Sequence, residues 1–381
     1  MQRLALFATA AAFTAALGLA QPAKAADLTI GLTMGVTGPT ASIGGFYKRV
    51  YDNMPDTLGG QKVKYVFLDD AGDPSKAVQN FRKFAEEEKV DVVLGPSNTP
   101  PCLAVAAAAN ELKVAQVCLS PVEVTDDKRP YVFTVPQSVP VMTSVLAEHM
   151  KAKGVKTLAF IGFADGWGDL CWKAMEKQAA DSGIQIVAHE RYNRTDTSVT
   201  SQILKIVAAK PDAVFVGATA TPATLPHIAL KERGFAGNIY HSHGVIGPDF
   251  IRNGGKAVEG AFATSGPLIV ANDLPDSNPI KKVALDFFKT FEANYPQVRN
   301  GFAGYAYDSL LMVQAALPSA LAKAKPGTPE FRAALREGLE NIKNLVGTHA
   351  IYNMNAGNHN GVDERSRVLV TVKDGAFTLA K

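Results

Sequence analysis

Residues 63–94 read VKYVFLDDAGDPSKAVQNFRKFAEEEKVDVVL, and this stretch decides the fold class. It opens with an apolar, β-branched run at 63–68 and closes with a second one at 91–94. Between them, segment 74–89 has apolar residues at positions 77, 78, 81 and 84, the spacing of one helix face. A strand, a helix and a strand in this order predict a βαβ unit with parallel strands.

The same alternation continues on both sides of this unit and then starts again. A chain of 381 residues is longer than one hydrophobic core usually organises, so we expect two α/β lobes, each Rossmann-like or flavodoxin-like. A helical tract, 279–343, and a last strand, 367–373, follow the second lobe. The other predicted strands are 28–34, 114–119, 131–135, 157–162, 184–188, 213–217 and 239–241.

The N-terminus has the pattern of a secretory signal. A charged start precedes an apolar run from Leu4 to Leu19, and A-K-A at Ala23–Ala25 resembles a cleavage site. The run is shorter than the roughly 20 residues that span a bilayer, and no cysteine follows it to carry a lipid. We therefore expect residues 1–25 to be a signal peptide and the mature protein to be soluble in the periplasm.

Composition and motifs argue against several function classes. Loss of Arg3 and Lys24 with the signal lowers the formal net charge from +3 to +1, which indicates neither nucleic-acid nor membrane-surface binding. The chain has no nucleophile elbow, zinc-protease helix motif, phosphate loop or dinucleotide fingerprint. We predict that the protein is not an enzyme and needs no cofactor and no metal.

Two groups of side chains leave alternatives open. Cys102 and Cys118 bracket one predicted helix and reach the same sheet edge, so they are either a disulfide or two free thiols. Cys171 has the pattern of a buried free thiol. His241 and His243, two residues apart on a predicted strand end, would share one face and could bind a metal, but no third ligand is evident nearby.

Several short segments together resemble the leucine/isoleucine/valine-binding family of periplasmic solute-binding proteins. Each is weak alone, but their order and spacing cover essentially the whole mature chain. They are Gly38-Pro39 with Gly44, DDAGDPSKA at 69–77, GPSNT at 95–99, LSP at 119–121, GWGD at 166–169, GYAYDSL at 304–310 and NHNGVDERSRVLVTV at 358–372.

The resemblance implies the type I periplasmic binding protein fold, in which three crossover strands join two lobes around a ligand cleft. Lobe one would combine 26–135 with 268–350, and lobe two 136–267 with 351–381. Family members capture a small solute by closing over it and deliver it to an ABC permease in the inner membrane, without covalent chemistry. We expect a monomer with this role.

The resemblance also implies ligand contacts at Asn98 and Thr99, where segment 97–99 would donate hydrogen bonds to a ligand carboxylate. Thr99 precedes Pro100 and has the pattern of a helix N-cap. A helix N-terminus attracts anions, and the first backbone donor after the prolines would be Cys102.

Two departures from the family concern the ligand's ammonium. In amino-acid-binding members, the segment matching 121–124, which includes Val122, carries a threonine that contacts the solute, and the segment matching 241–245 carries a glutamate that pairs with the ammonium. These places fall on Val124 and His243, although Glu123 could supply an acid if the register slips by one. An unpaired ammonium in a closed cleft costs several kcal/mol.

The predicted ligand is therefore a small organic acid, preferably an aromatic or α-keto carboxylate. The alternative is a branched-chain or aromatic amino acid or its amide. We expect His243 to face the cleft as a hydrogen-bond donor that becomes charged beside an anion, and His241 to pack at the strand end.

The remaining predicted contacts form the walls of the cleft. Trp167 takes the place of an aromatic residue that the family stacks on its ligand, and Tyr305 that of a further wall contact. Ile43 and Thr219 stand where the family has aromatic residues, and the loss of two rings would leave room for a ring on the ligand.

Overall fold

The structure of the protein is a computed structural model that describes residues 27–123 and 129–380. Its first sheet has six strands, of which only the short edge strand is antiparallel to its neighbour. In spatial order these are Thr57–Leu58, Gln61–Asp69, Leu28–Met34, Val92–Leu94, Ala115–Cys118 and Val132–Thr134. The helices packed on this sheet are Ala41–Tyr51, Pro74–Glu86, Thr99–Leu112, Pro279–Phe291, Gly301–Leu321 and Pro329–Glu340.

The second sheet has seven strands, with a parallel part and two antiparallel strands from the end of the chain. In spatial order these are Ala376–Leu379, Val368–Lys373, Phe262–Ser265, Asn238–His241, Ala213–Gly217, Thr157–Phe163 and Gln185–Tyr192. Its helices are Val139–Ala152, Gly166–Ser182, Thr200–Ala208, Thr224–Glu232 and Pro248–Gly254. The prediction of two α/β lobes is confirmed.

The βαβ unit that decides the fold forms as predicted. Helix Pro74–Glu86 starts where the Asp73 carboxylate accepts a hydrogen bond from the Lys76 amide at 2.8 Å. Its apolar face carries Phe81 and Phe84, which are fully buried and each stabilise the lobe by roughly 1.5–3 kcal/mol. Strand Leu28–Met34 lies between the two strands of the unit and pairs with both in parallel.

The chain passes between the lobes three times. The crossings follow Thr134, Ser265 and Val362, and a small two-stranded sheet, Leu345–Val346 with Ile351–Tyr352, precedes the third. Because Met354 is buried in the core of the first lobe and the His359 ring stacks on Phe133, the chain stays with the first lobe past the predicted boundary at 350. The predicted signal peptide, 1–25, lies outside the described residues.

The cysteine alternatives are resolved in favour of free thiols. Cys102, Cys118 and Cys171 are all unbonded and fully buried, so a Cys102–Cys118 disulfide is wrong. The Cys102 thiol donates to the Pro96 carbonyl at 3.2 Å, and burial beside Cys118 raises its pKa well above the usual range. Spacing along the chain placed the two thiols together, but it could not distinguish a bond from a contact.

In the part of the chain that the structure describes, no helix has both the length and the apolar character to cross a membrane.

Candidate functional site

A cavity of about 350 Å³ lies between the two lobes. Both lobes contribute to its wall, and it brings together most of the residues predicted from the sequence. The predicted residues that line it are Ile43, Asn98, Thr99, Trp167, Thr219, His243 and Tyr305. The others are Tyr47, Ser97, Leu119, Ser120, Pro121, Pro136, Arg194, Gly244 and Phe302.

The lobes are closed over this cavity. The Gly301 amide of the first lobe donates to the Ile246 carbonyl of the second at 3.0 Å. Gly166 lies so close to the first lobe that a Cβ there would be 3.2 Å from the Leu103 side chain. Closure leaves the predicted wall residues almost without solvent contact, and Trp167 is 2% exposed.

The start of helix Thr99–Leu112 forms one side of the cavity, with a cap that differs from the predicted one. Asn98 is the N-cap, and Thr99 is the first helical residue. Because the next two residues are prolines and the Cys102 amide donates to the Asn98 carbonyl at 3.0 Å, Cys102 is not available as a ligand donor. Only the Thr99 amide remains in the first three helical positions.

The Thr99 hydroxyl already has protein partners. It donates to the Pro121 carbonyl at 2.8 Å and lies 2.9 Å from the Ser120 hydroxyl. The Asn98 side-chain amide donates to the Thr40 hydroxyl at 2.9 Å. These side chains therefore hold the loops of the first lobe together, and the Thr99 amide and the Ser120 hydroxyl are the groups left for a ligand.

Arg194 is a charged cavity residue that sequence reasoning missed. Its Nε donates to the Asp165 carboxylate at 2.6 Å and its Nη1 donates to the Thr219 hydroxyl at 3.0 Å. The guanidinium also lies over the Phe163 ring, 4.2 Å from the centroid. Asp165 is itself fixed, because it caps helix Gly166–Ser182 by accepting from the Trp167 and Gly168 amides.

The charge of the cavity follows from Arg194. Its Nη2 makes no hydrogen bond to the described residues, and the lining residues include no aspartate or glutamate. The strand before it was predicted at 184–188 but runs from Gln185 to Tyr192, so Arg194 stands just after a strand end rather than deep in a loop. A correct strand length would have pointed to it, because ligands bind at the carboxyl ends of such strands.

His243 and Trp167 form an edge-to-face pair, with ring centroids 5.4 Å apart. Both ring nitrogens of His243 and the Trp167 Nε1 are buried without a hydrogen-bond partner among the described residues. Burial, and then the nearby His349, lowers the pKa of His243 to about 3, so its imidazole is neutral at pH 7. The expectation that this imidazole becomes charged concerns the form with a bound anion and stays a prediction.

His241 and His243 do not share a site, so the described residues do not support the metal-binding alternative that their spacing left open. The strand ends at His241, and His243 begins a turn of 3-10 helix capped by Ser242. His241 is buried behind the sheet, where its Nε2 lies 2.8 Å from the His227 Nδ1, and His227 bonds the Ala257 carbonyl at 2.9 Å. No cluster of three potential metal ligands occurs within the described residues.

Aromatic rings make up much of the cavity wall. Beside Trp167 and Tyr305, the structure adds Tyr47 and Phe302. Tyr47 is one turn beyond Ile43 on the same helix, and Phe302 is one turn before Tyr305, so helical spacing from the predicted residues would have found both. Ile43 and Thr219 carry no ring, but Tyr47 and Phe302 keep aromatic rings in the cavity wall.

The two tyrosine hydroxyls are used within the protein. The Tyr47 hydroxyl donates to the Leu119 carbonyl at 2.6 Å, and the Tyr305 hydroxyl donates to the Gln137 side chain at 2.7 Å. Gln137 in turn donates to the Ser366 carbonyl at 2.7 Å, which ties the first crossing between the lobes to the third. The cavity wall is thus connected directly to two of the segments that cross between the lobes.

Two predicted contacts are not found in the cavity. Val122 does not line it, because the side chain is buried in a hydrophobic cluster with Cys102, Val105 and Val132. Val124 lies outside the described residues.

A cleft of this geometry, closed between two α/β lobes, agrees with the comparisons to known proteins. A family model described as periplasmic binding protein matches residues 27–376. The chain belongs to this family. Periplasmic binding proteins of this type bind small molecules for ABC permeases, so the prediction that the chain is not an enzyme is confirmed.

Three proteins that this periplasmic binding protein resembles differ in their sequence identity to it. A Leu/Ile/Val-binding protein homolog from Brucella melitensis is 25% identical over 354 residues, which are 88% of this chain and 90% of the relative. An extracellular ligand-binding receptor from Rhodopseudomonas palustris HaA2 is 41% identical with a TM-score of 0.91, covering 93% of this chain and 100% of that one. A solute-binding protein of an ABC transporter from R. palustris, in complex with benzoate, is 19% identical with a TM-score of 0.79, covering 93% and 95%.

Proposed function

We propose that this periplasmic binding protein captures a small carboxylate with an aromatic ring or an α-keto group and without an ammonium, and delivers it to an inner-membrane ABC permease. The observation that carries the proposal is the charge of the cavity. Arg194 lines it, whereas no aspartate or glutamate of the described residues does. A carboxylate would therefore find a charged partner there, and an ammonium would be buried without one, at a cost of several kcal/mol.

Both lobes offer donors to the carboxylate. Arg194 belongs to the second lobe and is held by Asp165 and Thr219, so little side-chain entropy is lost when its remaining terminal nitrogen binds an anion. The Thr99 amide, at the start of a 14-residue helix, faces the same cavity from the first lobe. An anion held from both sides would stabilise the closed form, as capture by cleft closure requires.

The remaining surface suits a flat apolar group. Tyr47, Trp167 and Phe302 present rings to the cavity, and aromatic groups pack well against such walls. The closed cavity is small, which favours a ligand with a single ring or a short branched chain. At 19% identity, the benzoate complex of the R. palustris relative shows a shared fold only, so the ligand argument rests on the cavity.

Pairs of ligands that differ only at the α-carbon test this proposal. Protein freed of bound solute by unfolding and refolding would be titrated calorimetrically with phenylpyruvate against phenylalanine, and with 4-methyl-2-oxopentanoate against leucine. We expect the oxo acid of at least one pair to bind at least about 100-fold more tightly, because a buried unpaired ammonium costs several kcal/mol. Tighter binding of the amino acids would instead support the branched-chain or aromatic amino-acid alternative.

A further inference from the structure

Three buried nitrogen atoms in the cavity are not explained by a carboxylate alone. They are the Trp167 Nε1 and both ring nitrogens of His243, and none has a hydrogen-bond partner among the described residues. The two side chains touch edge to face, so these atoms lie in one region of the wall. Leaving a buried polar group unpaired is unfavourable, which indicates that a ligand or an ordered water satisfies these nitrogens in the closed form.

The chemical roles of these nitrogens restrict what can bind them. The indole nitrogen is a donor only. A neutral imidazole has a proton on one nitrogen and a lone pair on the other, so His243 supplies one donor and one acceptor. Burial keeps this imidazole neutral, since it lowers the pKa of His243 to about 3.

A carboxylate or a keto oxygen can accept from the two N–H groups, but neither can donate to the imidazole lone pair. A ligand hydroxyl does both, because it can donate to His243 while it accepts from Trp167. An ammonium could also donate, but Arg194 is in the same cavity, and no carboxylate from the part of the chain that the structure describes lines it.

We infer that the ligand carries an uncharged hydroxyl group in addition to its carboxylate, and that Trp167 and His243 are the specificity-determining residues that bind it. This inference rests on the proposed function and narrows the ligand class to hydroxylated carboxylic acids. A hydroxyl on the ring and one on the α-carbon offer the same hydrogen-bonding chemistry, and two sets of ligands separate these positions.

The loop around His243 is held in place by its neighbours. Gly244 packs so closely on Thr219 that a Cβ there would lie 2.4 Å from the Thr219 methyl group, and Thr219 accepts the hydrogen bond from Arg194. The groups assigned to the hydroxyl and to the carboxylate are therefore linked through one rigid contact. Such preorganisation is what allows a site to discriminate by a single hydrogen bond.

The test uses a ligand series on the wild-type protein. For the ring position, 3-(4-hydroxyphenyl)propanoate would be compared by calorimetry with 3-phenylpropanoate and with its 4-methoxy analogue, which can accept but cannot donate. For the α position, 3-phenyllactate would be compared with 3-phenylpropanoate and with phenylpyruvate. We expect the hydroxylated member of one set to bind roughly 10- to 100-fold more tightly than both comparison ligands.

Two variants connect this preference to the named residues. His243→Phe keeps a ring of similar shape but removes both nitrogens, and Trp167→Phe removes the indole donor. In His243→Phe the preference for the hydroxylated acid over 3-phenylpropanoate should fall to within about twofold, and His243→Gln, which has both a donor and an acceptor, should restore part of this preference. Trp167→Phe should reduce the preference and provides a second test if His243→Phe fails to fold.

The outcomes separate the two proposals. If the acids bind but hydroxylated and unsubstituted forms differ by less than about twofold in both sets, water rather than a ligand hydroxyl satisfies these nitrogens and the inference is wrong. Persistence of the preference in both variants would also overturn it. Binding of amino acids in place of all the acids would refute the proposed function itself.

Discussion

Arg194 offers the sharpest test of how the cavity binds an anion. In Arg194→Met the long apolar stem is retained but the guanidinium is lost, together with its bonds to Asp165 and Thr219. Asp165 keeps its hydrogen bonds from the Trp167 and Gly168 amides, so the start of the following helix should persist. We expect the variant to fold and to close less readily over a carboxylate.

The magnitude follows from what the ligand loses. A hydrogen bond to a charged group contributes about 1.5–3 kcal/mol, and leaving a buried carboxylate without its charged partner raises the total cost to about 2–4 kcal/mol. The dissociation constant for the carboxylate should therefore rise roughly 30- to 900-fold. The ion pair with Asp165 is mostly buried, with side-chain exposures of 16% and 22%, so the free energy of unfolding should also fall, by about 1–3 kcal/mol.

Arg191 provides a matched control for this variant. It lies three residues before Arg194 in the sequence, near the end of strand Gln185–Tyr192. It donates to the Phe163 carbonyl at 2.7 Å and pairs with Asp169 at 2.7 Å, but it does not line the cavity. Arg191→Met should lower stability and leave the dissociation constant within about twofold of the wild type. Calorimetry and thermal unfolding of both variants decide the matter: unchanged affinity in Arg194→Met, or an equal loss in Arg191→Met, would refute the reasoning.

Three further predictions use other parts of the structure. Thr99→Val should lower the free energy of unfolding by about 1–3 kcal/mol, because the Pro121 carbonyl and the Ser120 hydroxyl lose their hydrogen-bond partner. The dissociation constant of the ligand should change less than threefold, because the Thr99 amide remains. A large loss of affinity in a fully stable variant would instead show that the Thr99 hydroxyl contacts the ligand directly. Burial in the closed form keeps His243 neutral by lowering its pKa to about 3 from an ordinary value of about 6.5. Affinity for the ligand should therefore be highest above pH 6.5 and fall below it, by up to about tenfold per pH unit. Calorimetric titrations of His243→Phe should show no such fall. Thiol titration without reductant should detect three cysteines in the unfolded protein and none in the native one. Detection of a single thiol on unfolding would show that the other two cysteines form a disulfide.

Much of this protein's architecture is determined locally. The alternation of β-branched runs and 3.6-residue periodicity at 63–94 depends on neighbouring residues only, so it predicts the βαβ unit without knowledge of the rest of the chain. The family-like segments at 95–99, 166–169 and 304–310 similarly located Thr99, Trp167 and Tyr305, because each stands at the end of a strand or the start of a helix that faces the cleft.

The chemical character of the cavity depended on tertiary contacts. His241 and His243 are two residues apart, yet one is buried behind the sheet and the other lines the cavity, because the strand ends between them. Arg194 joins the site through Asp165 and Thr219, which are 29 and 25 residues away along the chain. Whether Cys102 and Cys118 are bonded was likewise undetermined by their spacing.

Local sequence patterns establish which elements form, because periodicity and capping act within a few turns of the chain. They do not establish which side chains meet when two lobes close, since that depends on contacts such as Gly301 with Ile246 between segments far apart in sequence. The sequence alone therefore determined the two-lobed fold and seven of the sixteen described residues that line the cavity. Only the tertiary structure revealed the guanidinium and the unpartnered nitrogens, because burial and partner geometry arise when distant elements pack together.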